Sequence, residues 1–181
     1  NFEVLSRMEA DCQRLNHPMD SVPTFSRSIE PKLETMDISV LLRRILDRWR
    51  PRMSRVNVEA FFQSEIAAPM VYGDARMLEQ VFTNLISNAV DALGTRGKGA
   101  IAVKISHGNM VGNRPQIVIT VSDDGPGIPE KVREHIFEPF VTTKSQGTGL
   151  GLAITKRIVT AHRGSITLNS FPGGTMFFVN L

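Results

Sequence analysis

Two asparagines one helical turn apart, Asn84 and Asn88, are the first residues in this sequence whose type and spacing suggest chemistry. They lie in a stretch from Ala75 to about Leu93 in which Leu78, Phe82, Leu85, Ile86, Ala89 and Leu93 recur at helical spacing. At about 100° per residue, Gln80, Asn84, Asn88 and Asp91 fall within roughly 80° of one another on a different face. Such a stripe lines up amide oxygens for a hard cation. Mg²⁺ takes a few protein oxygens and leaves the rest of its shell to phosphates and water. The same stripe also suits the solvated face of a core helix, and spacing alone does not choose between the two.

Three further clusters follow. In Val121-Ser122-Asp123-Asp124-Gly125-Pro126-Gly127-Ile128, a carboxylate at a strand end precedes two glycines. Glycines let the backbone approach a flat ligand closely, and Asp123 can accept a hydrogen bond from an exocyclic amine. A plain Asp-Gly turn has the same letters. Gly147-Thr148-Gly149-Leu150-Gly151-Leu152 leads into a helical pattern, where exposed N–H groups and the helix dipole favour phosphate. The run is not a P-loop, since no Gly-x-x-x-x-Gly-Lys-Ser/Thr occurs in the chain. Nor is it the dinucleotide fingerprint, because no strand precedes it and its third glycine comes one position early. Lys144, just ahead of it, either reaches a phosphate or is a solvated lysine. Last comes Gly173-Gly174-Thr175, a turn that also offers a hydroxyl to a base. Each cluster alone is ambiguous, but their order along one chain is informative.

The elements that must position these residues are legible in outline. Leu5, Met8, Cys12, Leu15, Met19 and Val22 recur with spacing 3-4-3-4-3, a seam that predicts a bundle or coiled-coil helix over residues 1–28, kinked at Pro18. Residues 29–36, around Pro31, read as a linker to a second domain over 37–181. Asp37 is the expected N-cap of a helix through Leu41, Leu42, Ile45, Leu46 and Trp49, curtailed by Pro51. Val56, Val58 and Phe61 suggest a strand. After the Ala75–Leu93 helix come two alternating strands, Ile101/Val103/Ile105 and Ile117/Ile119/Val121, reading as a hairpin. Residues 123–149 read as a long functional loop with a short helix, followed by a helix from about Gly149 to His162. Two strands, Ser165–Leu168 and Thr175–Leu181, close the chain. The expected fold is α+β: a two-layer α/β sandwich with a mixed sheet.

Composition narrows the classes. Apolar residues make up 41% and charged residues 22%, the balance of a globular protein. The net charge of +3 is spread out, which argues against a nucleic-acid partner, since backbone binding wants a basic stripe. One cysteine excludes an internal disulfide and a thiolate zinc cage. No apolar run approaches the ~18 residues of a membrane span, and no signal-peptide pattern is present. A cytoplasmic location is expected, with any inner-membrane anchor of a parent protein lying outside these residues.

Taken in order, the four clusters resemble the N, G1, G2 and terminal Gly-Thr boxes of the GHKL superfamily of ATP-binding domains. Ile136-Phe137-Glu138-Pro139-Phe140-Val141-Thr142-Thr143-Lys144 resembles the F box of bacterial two-component sensor histidine kinases. Residues 80–92 (QVFTNLISNAVDA) and 147–154 (GTGLGLAI) are similar to the same family, and the likeness covers about residues 35–181. It implies a Bergerat-type sandwich that binds ATP and Mg²⁺, with Asn88 as the metal ligand and Asn84 near the phosphates. Asp123 would bind the adenine amine, with Gly125, Gly127 and Ile128 shaping the base pocket and Thr175 nearby. Asp91, Thr143, Lys144, Gly147, Thr148, Gly149, Leu150, Gly151 and Leu152 would belong to the phosphate side and its lid. Asn84, Asn88 and Lys144 are the expected catalytic residues, while Phe137 and Phe140 would anchor the lid by packing.

Two departures within the superfamily matter. Members that activate water usually carry Glu four residues before the metal-binding Asn, where this chain has Asn84, and an amide cannot take a proton from water. Asp91 stands where many sensor kinases carry Lys or Arg. Arg14-Leu15-Asn16 and Phe25-Ser26-Arg27 resemble the second helix of the dimerisation and phosphoacceptor hairpin, so the acceptor histidine is expected outside these residues. His17 is followed by Pro18 rather than the usual acidic residue, and His107, His135 and His162 read as structural. His162 sits at a helix C-terminus, where the dipole favours a cation. The implied function is transfer of the ATP γ-phosphate to that histidine for relay to a response-regulator receiver domain, in a homodimeric full-length protein. The rivals are a GHKL serine kinase and a nucleotide-gated interaction module.

Overall fold

The computed structural model describes residues 29–111, 114–144 and 147–181, so the seam helix expected over residues 1–28 lies outside the described residues. The chain begins with β1 (Glu34–Asp37), α1 (Ile38–Arg55), β2 (Val58–Ser64), β3 (Met70–Gly73) and α2 (Ala75–Gly94). It continues with β4 (Gly99–Val111), β5 (Arg114–Asp123), α3 (Glu130–Arg133), α4 (Gly151–Ala161), β6 (Ser165–Phe171) and β7 (Gly174–Asn180). Five strands form one sheet in the order β2-β4-β5-β7-β6. β2 runs parallel to β4 and the other neighbours are antiparallel, which gives the mixed sheet expected from the sequence. The hairpins β4–β5 and β6–β7 are both present.

Strand periodicity explains the layering. Ile101, Val103 and Ile105 on β4, Ile119 and Val121 on β5, and Phe177 and Val179 on β7 are buried beneath the helices. Above them α2 buries Leu78, Val81, Phe82, Leu85, Ile86, Ala89, Val90 and Leu93, and α1 adds Leu41, Leu42, Ile45 and Leu46. Burying a side chain such as Phe82, fully enclosed here, contributes about 2–3 kcal/mol. Both long helices start on an aspartate. Asp37 accepts from Ser39 N at 2.8 Å, and Asp74 from Arg76 N at 3.0 Å and Met77 N at 3.1 Å.

Two features depart from the sequence reading. Pro51 was expected to end α1, yet the helix runs past it to Arg55. The carbonyl that Pro51 cannot bond belongs to Asp47 on the exposed face of the helix, and buried Met53 holds the last turn on the core. Residues 34–37, at the end of the expected linker, pair antiparallel with β3 as a separate two-stranded sheet. That pairing draws the chain's entry against the start of α2, where Lys32 N donates to Asp74 Oδ2 at 3.0 Å. None of the described helices is long and apolar enough to cross a membrane.

Candidate functional site

The candidate site follows α2 from its C-terminal end to its middle. At the C-terminal end, Asp123 closes β5 beside Thr175 of β7, its register partner. Burial pushes the Asp123 carboxyl up to about 6, with the nearby Asp124 charge adding to it and the Gly125 N–H at 2.9 Å partly opposing it. Gly125 has no room for a side chain, since an added Cβ would stand 2.6 Å from Asp123 Oδ1 and 3.6 Å from Leu93 Cδ2. The loop thus lies directly against the end of α2. Gly127 needs its type for two reasons: φ is +79°, and a Cβ would run into the Phe171 carbonyl.

A hydroxyl unnoticed in the sequence completes this end. Ser170, 4% exposed, accepts from Ile128 N at 2.7 Å, donates to Gly174 O at 3.3 Å and lies 3.5 Å from the buried Thr175 Oγ1. Its signal was the β6–β7 hairpin register, which pairs Ser170 with Thr175 across a two-residue turn. The result is a largely buried carboxylate, two hydroxyls and a glycine-lined backbone, able to read the polar edge of a flat base.

Further back along α2, Lys144 Nζ lies 2.8 Å from both Asn88 Oδ1 and Asp91 Oδ2, and Arg52 Nη2 of α1 holds the other Asp91 oxygen at 2.9 Å. One cation therefore already bridges the two oxygens that the polar stripe brings together. This donor set, an amide and a carboxylate oxygen converging on one positive centre, fits Mg²⁺ with phosphates completing its shell. Among the described residues no group of three His, Cys, Asp or Glu side chains could hold a metal by itself. One turn earlier, Asn84 Nδ2 donates to Thr155 Oγ1 of α4 at 2.9 Å. Asn84 also packs against Gly151 so closely that a Cβ there would stand 2.5 Å from its Oδ1. Thr155 is four residues past Gly151, hence on the same face of α4, and that spacing was its sequence signal.

The residues expected to form the lid divide into two sets. Gly149, with φ +67° and its carbonyl accepting from Phe140 N at 2.9 Å, ties the F-box segment to the glycine run. Leu150 is buried and Leu152 packs against the core, so only their backbones can meet a ligand. Gly147 is half-buried, while Thr143, Thr148 and Lys144 are exposed. Phe137 anchors the segment, edge-on to Phe177 at 6.3 Å between ring centroids. Phe140 does not share that role: its ring is 67% exposed and its φ is +68°, so the backbone bond to Gly149 holds it instead. From Ala92, beside Gly125, to Asn84, beside Gly151, α2 advances about 12 Å, which is the order of length of a base, a ribose and a short phosphate chain. A groove of about 570 Å³ opens beside Asn84, with Trp49, Gln80, Ser87, Gly151 and Thr155 in its walls.

Comparison with known proteins agrees with this geometry. Residues 73–181 match the family described as histidine kinase-, DNA gyrase B- and HSP90-like ATPases. The sensory histidine kinase/phosphatase NtrB of Rhodobacter capsulatus is 32% identical over the whole chain, which spans 52% of its length. The C4-dicarboxylate transport sensor protein DctB of Rhizobium meliloti is 48% identical over 60% of this chain and 17% of its own. The chain thus covers about half, or less, of these relatives. Among solved structures, the catalytic domain of histidine kinase ThkA superposes with a TM-score of 0.73 at 29% identity, covering 83% of this chain and 95% of that one. Full-length ShkA, in complex with AMPPNP, gives a TM-score of 0.80 at 27% identity over 98% of this chain and 38% of that one. These relatives and structures liken it to the ATP-binding catalytic domain of sensor histidine kinases, and the chain belongs to the family of histidine kinase-, DNA gyrase B- and HSP90-like ATPases.

Proposed function

We propose that this domain transfers the γ-phosphoryl group of ATP to a histidine on the dimerisation hairpin of its parent protein, for relay to a receiver-domain aspartate. The observation that carries the reading is Asn84. It stands about two turns along α2 from the Asp123 end, its amide engaged with Thr155, and offers no carboxylate to activate water. Transfer to a nucleophile brought from elsewhere is the chemistry that remains. ATP would lie along α2, its adenine amine on Asp123, its base edge near Thr175 and Ser170, and its phosphates between Asn88 and the N-terminal turn of α4. The solved complex of ShkA with AMPPNP supports nucleotide binding by this fold.

Asn88, with Asp91 beside it, would hold Mg²⁺. When bound, the metal neutralises charge on the phosphates. Lys144 would then exchange its two oxygens on α2 for phosphate oxygens. The free N–H groups at the start of α4 face the same charge, and the groove beside Asn84 leaves room for an acceptor side chain. The imidazole lone pair would form the N–P bond as the β–γ bridging P–O bond breaks, its electron pair leaving with ADP. The lowered barrier comes from position and charge neutralisation. Membership of a two-component pathway, with its receiver-domain partner, homodimeric parent and cytoplasmic location, follows from this reading. We further assign residues 37–181 to the catalytic domain.

The test is to mix this chain with the parent's full hairpin and γ-labelled ATP. The expected product is an acid-labile, base-stable phosphate on the hairpin. Release of inorganic phosphate at an equal rate with or without the hairpin, and no protein label, contradicts the proposal.

A further inference from the structure

His162, directly after α4, is 9% exposed and makes two hydrogen bonds that fix its chemistry. Its Nε2 lies 2.9 Å from Asp74 N and its Nδ1 lies 2.8 Å from Ile158 O. A backbone N–H can only donate, so Nε2 accepts and carries no proton. A carbonyl oxygen can only accept, so Nδ1 carries the proton. The ring is neutral, in its Nδ1–H tautomer. The bond to Asp74 N joins it to a residue 88 positions away.

The residue it grips has a special place. Asp74 is the N-cap of α2, the helix that carries Asn84, Asn88 and Asp91, and its own carboxylate is committed to Lys32 N, Arg76 N and Met77 N. α4 begins at Gly151 against Asn84 and ends at His162 against Asp74, so the two helices run antiparallel. They are bonded at two points, Asn84–Thr155 and Asp74–His162. One such bond would leave a pivot, whereas two fix both rotation and sliding. The packing beside the second bond has no slack, since a Cβ on Gly73 would stand 2.7 Å from Leu78 Cδ1 and 3.3 Å from His162 Cδ2.

We infer that His162 is a positioning residue: by accepting from the Asp74 N–H it sets the register of α4 on α2, and so the spacing between the Gly151 turn and the Asn84/Asn88 amides that the triphosphate requires. The inference rests on the ATP reading above for its consequence, although the histidine bond itself does not.

Two variants separate positioning from simple core filling. Asn at 162 keeps a donor for Ile158 O but falls short of Asp74, while Gln reaches Asp74 N–H with its Oε1. Calorimetry with a non-hydrolysable ATP analogue and with adenosine should find His162→Gln within about threefold of the unmodified chain for both ligands. His162→Asn should lose about tenfold for the analogue, through the lost register of the two helices, and less than about twofold for adenosine. Equal losses for both ligands in His162→Asn, or no loss in a folded variant, overturn the inference. ¹⁵N spectra of the imidazole at neutral pH should show the Nδ1–H tautomer, and an imidazolium or Nε2–H ring overturns it as well. If the unmodified chain binds neither ligand, the ATP reading fails, and the spectrum alone then judges the bond.

Discussion

The two ends of the site are built from different material. At the end proposed for the base, the polar groups sit on strands and are partly or wholly buried: Asp123 is half-buried beside its register partner Thr175, Ser170 is 4% exposed, and Gly127 is pressed against the Phe171 carbonyl. At the phosphate end, the α2 amides meet an exposed segment in which Lys144, Thr143 and Thr148 face solvent and Phe140 shows its ring. Burial at the first end makes a carboxylate costly and its hydrogen bonds selective. Exposure at the second makes each contact weak and replaceable, which suits groups that must exchange partners as phosphates arrive and leave. On the proposed reading, recognition and movement fall to opposite ends of one helix.

The sharpest way to break this contrast is at Gly127. Gly127→Val forces a β-branched residue to φ +79° and a Cβ into the Phe171 carbonyl. The expected cost is about 3 kcal/mol of stability in urea denaturation, with base binding lost. A cost below about 0.5 kcal/mol would show that the base end is not the tightly built half.

Next in size is the metal contact. Asn88→Ala should weaken Mg²⁺-dependent binding of an ATP analogue by about tenfold while leaving adenosine binding unchanged. A parallel loss with adenosine would mean that the two ends are not separable.

Asp123 makes a prediction of opposite sign for stability. Its carboxyl is raised from the usual 3.8 to about 6, so the fold favours the protonated form. Stability is therefore full below pH 3.8, falls as pH rises between those values, and is lower by a constant amount above about pH 6. Asp123→Asn, which keeps an acceptor for Gly125 N–H, should match the unmodified chain at pH 3.5. By pH 7.5 it should be about 1 kcal/mol more stable, after discounting for partial solvent screening. Denaturation curves at the two pH values decide it, and an equal difference at both would remove the burial argument.

The smallest effect belongs to Lys144. Lys144→Gln breaks an exposed ion pair with Asp91 and should change the melting temperature by less than about 2 °C. The same change should weaken analogue binding about threefold, more at low than at high salt. A large stability loss would place Lys144 in the rigid half.

Legibility in the sequence followed the same division, though not completely. α2 was readable because six apolar residues recur at helical spacing, all six of them buried, and its polar face follows from the angle per residue. The mixed sheet followed from alternation in β4, β5 and β7. β1 and β3 were not anticipated, because four-residue strands carry too little periodicity to register. Pro51 misled because the rule for proline concerns a lost backbone bond, while the helix end was decided by burial of Met53. Ser170 and His162 were invisible as site residues for another reason. A serine in a strand acquires meaning only from the hydroxyl across its hairpin, and a histidine only from an N–H 88 residues distant. Side chains that bond across the fold are what a single sequence conceals.

The central claim is that Asp123 reads the base while Asn88 holds the metal. The most direct test is calorimetric titration of this chain with a non-hydrolysable ATP analogue, with and without Mg²⁺, beside Asp123→Asn and Asn88→Ala. The account predicts binding by the unmodified chain, a loss of about 10–100-fold in Asp123→Asn with either metal condition, and a Mg²⁺ effect that disappears only in Asn88→Ala. Equal affinities across the three folded proteins, or no binding by any of them, would contradict it.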